Sequence, residues 1–260
     1  MLTLYFSATG NTEYIARLFS RQMGAKCLSI ESDANFAQEI IAHGCIAFCY
    51  PIYGSRVPRI LREFVAQHMG DLDGKKVIIL VTQVAFSGDG ARVFTDMLFN
   101  CAVDVIYAEH FYMPNNVSNI LILRKPSEKS VKRRLVKAEE KVLAVCQDIN
   151  NGIVIRRGFS RFSRILGSIQ GKLWQGDSSK IGSSALSAES MSKTGVKIRK
   201  DCTACNLCVS ICPMKNFANE QGSIRPKGNC MVCYRCINRC PKRAITVMVN
   251  IRPRWQYEGV

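Results

Sequence analysis

Short apolar runs alternate with amphipathic stretches along the first 150 residues of the chain. This alternation is typical of repeated βα units, which build a parallel sheet with helices on its faces. The apolar runs predict five strands, at residues 2–6, 26–30, 45–50, 76–82 and 103–111. The amphipathic stretches predict five helices, at residues 11–23, 34–42, 58–69, 91–101 and 127–150. The order of these elements predicts an α/β domain over residues 1–151, built on an open, doubly wound, five-stranded parallel sheet.

The pattern changes after residue 151. Glycine, serine, lysine and arginine dominate residues 152–195, and basic and apolar side chains alternate within residues 156–166. Three interpretations of this basic segment stay open: a surface helix over a domain seam, a docking site for an acidic protein, or contact with an anionic membrane surface. Residues 196–260 contain two short apolar runs, and they predict a second, smaller domain joined to the first by the basic segment.

Eight of the thirteen cysteines belong to a four-cysteine motif that occurs twice, with an offset of 28 residues between the two copies. In each copy, three cysteines are spaced by two residues and a fourth follows three residues later, directly before a proline. The eight are Cys202, Cys205, Cys208 and Cys212, then Cys230, Cys233, Cys236 and Cys240. This spacing is typical of ligands to [4Fe–4S] clusters, and two such clusters are predicted. Structural zinc, the alternative, favours two separated cysteine pairs without the trailing proline.

The first residues have no basic region followed by a long apolar region, and no apolar run reaches the roughly 18 residues that would span a bilayer. The sequence therefore predicts a cytoplasmic protein, in which thiols stay reduced and disulfide bonds are disfavoured. The net charge of +16 is uneven, with +2 in residues 1–151, +8 in residues 152–200 and +6 in residues 201–260. Since a cluster with four thiolates is anionic, part of this excess balances the predicted clusters.

The segment around the doubled motif resembles a bacterial two-cluster ferredoxin, which is a small α+β domain, over about 50 residues. The resemblance implies that the fourth cysteine of each copy binds the other cluster. One cluster then takes Cys202, Cys205, Cys208 and Cys240, and the other takes Cys230, Cys233, Cys236 and Cys212. Both ligand sets are complete, which favours electron transfer over chemistry at an open iron site.

Three polar or glycine-containing loops follow the carboxyl ends of predicted strands, where doubly wound sheets bind ligands. The first runs from Ser7 to Thr12, the second follows Tyr50, and the third follows Thr82. Hydroxyl and amide groups at the start of a helix bind phosphate. No G-x-G-x-x-G or Walker motif is present, so a nicotinamide or ATP site of known type is not predicted.

Together these loops are similar to those of flavodoxins, over about residues 1–150, and the resemblance implies bound FMN. It places the phosphate at Ser7, Thr9, Gly10, Asn11 and Thr12. It places one side of the isoalloxazine ring at Pro51, Ile52, Tyr53 and Gly54, with Tyr53 stacking on the ring, and the other side at Gln83, Phe86, Ser87, Gly88 and Asp89. The third loop departs from the commonest flavodoxin pattern because no aromatic residue closely follows Gly90.

A flavodoxin-like domain before a two-cluster ferredoxin resembles the flavodoxin–ferredoxin fusion family of anaerobic bacteria. That resemblance implies an electron-transfer protein that relays electrons between FMN and two [4Fe–4S] clusters. The partners expected are redox proteins, some of them acidic. One alternative is an FMN-dependent reductase of a small acceptor such as a quinone or nitro compound. Another is a nucleic-acid-binding protein that uses the basic segment, which lacks repeated aromatic platforms. The sequence leaves open whether the chain is an enzyme.

Overall fold

The computed structural model describes residues 1–85, 88–120, 123–175, 192 and 195–260. The chain divides into two compact units, Met1–Pro114 with Glu128–Gly171, and Asn115–Ser127 with Lys172–Val260. In the part of the chain that is described, no helix is both long and apolar enough to cross a membrane.

The first unit is built on a parallel sheet of six strands in the order β2-β1-β3-β4-β5-β6. The strands are β1 Leu2–Tyr5, β2 Lys26–Ser29, β3 Cys45–Pro51, β4 Lys76–Gln83, β5 Asp104–Tyr112 and β6 Ile155–Arg156. The prediction of an α/β parallel sheet is confirmed, but the predicted number of five strands is wrong. The hydrophobic pattern did not predict the sixth strand, because this strand is only two residues long and pairs only with Tyr107 and Ala108 of β5.

Helices cover both faces of this sheet, as a doubly wound fold requires. They are α1 Asn11–Met23, α2 Phe36–Ile41, α3 Arg59–Gln67, a 3₁₀ turn at Gly70–Leu72, α4 Gly90–Met97 and α5 Glu128–Asn150. On one face Phe19 of α1 and Val142 of α5 join a core with Cys49 of β3. On the other face Phe94 of α4 packs against Phe48, with 4.8 Å between the ring centroids. The alternation of Phe48 and Cys49 along β3 sends neighbouring side chains into opposite layers.

A sixth helix, α6 at Arg161–Gln175, packs on the first unit through small residues. Ser163, Gly167 and Gly171 are buried, and their spacing of four residues places them on one side of the helix. A Cβ atom on Gly167 would lie 1.6 Å from Oδ1 of Asp89, so only glycine allows this approach. Residues 155–171 are therefore part of the first unit, and the boundary predicted at residue 151 does not separate them from it. The predicted linker residues 176–191, 193 and 194 lie outside the described part.

The second unit repeats one strand–loop–helix arrangement. Its elements are β7 Lys197–Ile198, α7 Leu207–Ile211, β8 Phe217–Glu220, β9 Ser223–Pro226, α8 Arg235–Arg239 and β10 Ile245–Thr246. Strand β10 pairs antiparallel with β7, and β8 pairs antiparallel with β9. Ile198 lies opposite Ile245, and Pro226 lies opposite Phe217. Since these partners are related by the same 28-residue offset as the cysteines, the sequence repeat is also a repeat of strand pairing.

The segment that follows β5 belongs to the second unit and is held there by side-chain amides. Tyr234 donates its hydroxyl hydrogen bond to Oδ1 of Asn119 at 2.8 Å, and Nδ2 of Asn119 donates to the carbonyl of Val247 at 2.9 Å. Asn238 donates from Nδ2 to the carbonyl of Asn116 at 2.8 Å. Because Asn119 and Tyr234 are buried, these bonds satisfy polar groups that water does not reach.

Candidate cofactor sites

The first loop connects β1 to the amino terminus of α1. Its backbone turns at Gly10, which has φ 100°, and the Gly10 amide donates to Oγ of Ser7 at 3.1 Å. The hydroxyl oxygens of Thr12 and Thr82 lie 2.7 Å apart in a buried hydrogen bond, which ties α1 to β4. Nδ2 of Asn11 donates to the carbonyl of Pro114 at 2.9 Å. The loop is thus fixed from both sides at the start of a 13-residue helix, which suits an anion such as a phosphate group.

The second loop leaves β3 as a tight turn. Tyr53 and Arg56 exchange two backbone hydrogen bonds, of 3.1 and 3.0 Å, around Gly54 and Ser55, which both have left-handed backbone angles. The Ile52 amide donates to the carbonyl of Thr82 at 2.9 Å, which holds this loop beside the end of β4. Pro51 is the last residue of β3, and Pro51 to Gly54 are all partly exposed. The four residues predicted to shape the ring pocket therefore lie together at the carboxyl edge of the sheet.

The third loop follows β4, and Phe86 and Ser87 lie outside its described part. The carbonyl of Gln83 accepts from the Met113 amide at 2.8 Å, and Arg134 donates from Nη1 to the carbonyl of Val84 at 2.9 Å. Gln83 is 7 % exposed. Arg134 lies on α5, and its side chain fixes the third loop. The sequence pattern gave no indication of this contact.

Helix α6 lies against both the second and the third loop. A Cβ atom on Gly88 would come within 2.6 Å of the Gly167 backbone, and one on Gly171 within 2.0 Å of Cζ of Arg56. Ser55 donates its hydroxyl hydrogen bond to Oε1 of Gln170. Asp89 is fully buried beneath this helix and accepts from Nε of Arg92 at 2.8 Å. Any ligand held between these two loops therefore has α6 as a neighbour, which the hydrophobic pattern did not predict.

The two cysteine motifs have the same backbone conformation. Left-handed residues flank Cys205 and Cys233: φ is 51° and 62° at Ala204 and Asn206, and 61° and 64° at Val232 and Tyr234. A β-branched residue such as Val232 rarely adopts this conformation, which costs of order 1–3 kcal/mol unless the surroundings impose it. Alternating right- and left-handed residues turn successive N–H groups to one side, and such nests bind anions, including iron–sulfur clusters.

The fourth cysteine of each motif accepts a backbone hydrogen bond at its sulfur. The Asn216 amide donates to Sγ of Cys212 and the Ala244 amide to Sγ of Cys240, both at 3.3 Å. N–H groups directed at sulfur stabilise thiolate and tune cluster potentials. All thirteen cysteines, each within the described part, carry thiols and form no disulfide bonds.

The thiols of the two motifs lie close to one another. A cavity is lined by Cys202, Cys205, Cys208 and Cys240 together with Cys236. Burial, together with the neighbouring Cys202, Cys240 and Cys205, raises the pKa of Cys208 to about 11. The pKa of Cys236 is raised mainly by burial, then by Cys233, Cys230, Cys212 and, least, Cys208. Cys240 thus lies near thiols of the first motif, and Cys212 lies near thiols of the second.

No three His, Cys, Asp or Glu side chains in the described ranges converge tightly enough to hold a single metal ion. A [4Fe–4S] cube makes a different demand, because its four thiolates bind four separate irons at the corners of a cube. The cavity is lined by five thiols, and a backbone N–H group is directed at the sulfur of one of them, Cys240; these are donors of the kind that such a cube would need. Because the buried thiols have raised pKa values, metal binding would have to displace their protons.

His110 of β5 is a buried residue that the sequence pattern does not single out. It is 8 % exposed, and its Nε2 has no hydrogen-bond partner within the described residues. Burial lowers the pKa of His110 from 6.5 to about 4; neighbouring Glu109 opposes this shift, and Lys141 and Arg157 add to it. The imidazole is therefore neutral at pH 7.

We expect His110 to stay unprotonated down to about pH 5. The folded protein binds this proton less readily than the unfolded chain, so His110 lowers the free energy of unfolding as the pH falls from about 6.5 towards 4. Imidazole NMR signals recorded from pH 7.5 to 5 measure the protonation directly, and His→Gln variants at His43, His68 and His110 assign the three signals. A His110 signal that titrates near pH 6.5 would contradict the buried environment.

The amino-terminal part of the chain matches a known family model. Residues 2–116 match the family model of the flavodoxin domain (Flavodoxin_5). Among solved structures, two-electron reduced Megasphaera elsdenii flavodoxin is 21 % identical, with 54 % of this chain and 99 % of that chain covered and a TM-score of 0.38. Oxidised Flavodoxin 2 from Bacillus cereus is 18 % identical, with 56 % and 97 % covered and a TM-score of 0.36. A flavodoxin from the domain Archaea is 14 % identical, with 57 % and 97 % covered and a TM-score of 0.37.

The amino-terminal part of the chain is a flavodoxin-like domain of α/β fold. The family match ends at residue 116, before the cysteine motifs. A search of curated proteins finds no match.

Proposed function

We propose that this chain is an electron-transfer flavo-iron–sulfur protein with one FMN and two [4Fe–4S] clusters. The observation that carries the proposal is the closeness of the thiols of two motifs that share one backbone conformation, in the same chain as a flavodoxin-like domain. FMN exchanges one or two electrons and each cluster exchanges one, so together they can pass electrons singly or in pairs.

The residues of the first unit would hold FMN at the carboxyl edge of its sheet. Ser7, Thr9, Gly10 and Asn11 would position the phosphate at the start of α1. Thr12 already bonds Thr82, so its hydroxyl would serve mainly to fix the loop. Tyr53 in the second loop and Gln83 in the third would flank the ring.

The residues of the second unit would bind the clusters and exclude water from them. Cys208 and Cys233 are buried, and Ile237 and Phe217 belong to the surrounding apolar core. An apolar shell and N–H groups directed at sulfur are the protein's means of setting a cluster potential. The small core of this unit would also gain stability from the clusters, because metal binding adds to the free energy of folding.

The electron capacity of the chain tests this proposal. Anaerobic titration with dithionite should consume about four electrons per chain, two for FMN and one for each cluster. Absorbance would follow the flavin, and electron paramagnetic resonance would follow the clusters. A capacity of about two electrons, all of it taken by flavin, would contradict the relay. Catalytic turnover of a quinone or nitro compound by the reduced protein would favour the reductase instead.

A further inference from the structure

A polar cleft of about 560 Å³ lies along β5 where this strand extends beyond the short β6. Its lining includes Glu109, His110 and Tyr112 of β5, and Arg157 and Ser160 from the chain after β6. The volume falls in the range of small-molecule sites. None of residues 7–12 or 50–55 lines this cleft, so it is separate from the first and second loops. Gln83 and Gly88 of the third loop do line it, so the cleft adjoins the proposed ring site of FMN.

Cations predominate around the cleft. Glu109 is its single lining carboxylate, and it pairs with Lys141 at 2.9 Å and with Arg157 at 2.7 Å. Two cations therefore meet one carboxylate, and this leaves a local charge of about +1. The Arg157 side chain is 61 % exposed and stays accessible to a ligand. Arg156, a third cationic lining residue, donates instead from Nε to the carbonyl of Val105 at 2.9 Å.

The amino terminus of α6 opens onto the same cleft. Ser160 and Ser163 line it, and Oγ of Ser160 accepts from the Ser163 amide at 3.1 Å, as a capping residue does. Helix α6 is 15 residues long, so the partial positive charge of its dipole adds to that of the lining cations. An anion in this position would meet the helix start and Arg157 together.

The buried imidazole of His110 is a second, independent indication of a ligand. A buried polar atom without a hydrogen-bond partner is destabilising, so such atoms are rare in the absence of a ligand or water. Nε2 of His110 is such an atom among the described residues, and His110 lines the cleft. Gly158 packs against the edge of this ring, because a Cβ atom there would lie 2.7 Å from Cε1 and 3.4 Å from Nε2 of His110.

We propose that this cleft binds a small organic polyanion, either a polycarboxylate or a phosphate ester. Arg157 and the start of α6 hold one oxyanion group, and Nε2–H of His110 donates to an oxygen of the same ligand. Glu109 positions Arg157 through their ion pair. Glu109 and Lys141 also satisfy the exposed backbone of β5: Glu109 accepts from the His110 amide and Lys141 donates to the His110 carbonyl, both at 2.8 Å.

Titration of the purified, FMN-containing protein with citrate or with glycerol 3-phosphate tests the site. The His110 imidazole NMR signal should shift and saturate below about 10 mM of one probe, with a matching heat of binding by calorimetry. Saturation by citrate alone identifies a polycarboxylate site, and saturation by glycerol 3-phosphate alone identifies a phosphate-ester site. The absence of a saturable shift with both probes would overturn the proposal.

Variants distinguish specific binding of an anion in this cleft from general electrostatic attraction of anions to a basic protein. Arg157→Gln should weaken binding at least about tenfold, whereas Arg156→Gln, the adjacent arginine bonded elsewhere, should change it less than about threefold. His110→Phe should also weaken binding several-fold. Equal effects of Arg156→Gln and Arg157→Gln, or unchanged affinity in both Arg157→Gln and His110→Phe, would overturn the proposal. Thermal unfolding of each variant confirms that the first unit remains folded.

Discussion

The double variant Cys205→Ala/Cys240→Ala should retain about four irons per chain, whereas Cys205→Ala/Cys212→Ala should retain almost none. In the crossed arrangement Cys205 and Cys240 bind the same cluster, so both substitutions damage one cluster only. Cys212 belongs to the other cluster, so pairing its loss with that of Cys205 damages both. The basis of this expectation is that Cys240 lines one cavity with Cys202, Cys205 and Cys208, a cavity that Cys236 also lines.

Iron and sulfide analysis after anaerobic purification distinguishes the alternatives because uncrossed ligation reverses the outcome. If each motif bound its own cluster, the Cys205/Cys212 variant would keep four irons and the Cys205/Cys240 variant would lose all. Cys101→Ala, at a cysteine outside the motifs, is the matched control and should leave the iron content unchanged. Circular dichroism checks that the first unit survives in every variant.

Ser7→Asp should weaken FMN binding by about 100-fold or more. A carboxylate at Ser7 would lie beside the proposed phosphate, and like charges about 4 Å apart at an effective dielectric constant of 20 repel by roughly 4 kcal/mol. The same carboxylate lies near the start of α1, where negative charge stabilises a helix, so the fold should be retained. Quenching of flavin fluorescence on titration of the flavin-free protein measures the dissociation constant.

Two controls separate charge from shape in that experiment. Ser7→Asn introduces a side chain of the same size as aspartate, with hydrogen-bonding groups but no charge, and should weaken FMN binding less than about tenfold. Ser32→Asp adds the same charge at an exposed position after β2 and should have little effect. If Ser7→Asp binds FMN as tightly as Ser7→Asn does, the phosphate does not lie at the first loop.

The sequence predicted the parallel sheet well because its central strands carry a strong pattern. Residues of β3 and β4 are buried almost throughout, so they form the continuous apolar runs that predict covered strands. The three loops could also be located, since the carboxyl ends of neighbouring parallel strands meet at one edge.

The sixth strand and the role of α6 could not be predicted from the same pattern. Strand β6 is two residues long, and α6 turns its small residues inward while Phe162, Ile165 and Ile169 are 66 %, 61 % and 55 % exposed. This reverses the usual rule that the apolar face of a helix is buried. The spacing of Ser163, Gly167 and Gly171 was the available indication, because small residues four apart allow close packing of a helix.

The surroundings of individual site residues could not be predicted from the sequence, because they are formed by contacts between positions that are distant in the chain. The bond between Thr12 and Thr82 and the burial of Asp89 under α6 arise from tertiary packing, which loop composition does not determine. His110 shows the same limit, because its environment is assembled from β5, α5 and the chain after β6. By contrast, the two cysteine motifs have left-handed residues at matching positions, because a motif of fixed spacing largely prescribes its own local geometry. The ligand sets that the ferredoxin resemblance implies stay predictions.

The iron, sulfide and flavin content of the chain purified without oxygen tests the proposed relay directly. One FMN and two [4Fe–4S] clusters correspond to about eight irons, about eight sulfides and one FMN per chain. Four irons or fewer, zinc in place of iron, or the absence of FMN from protein purified in this way would contradict it.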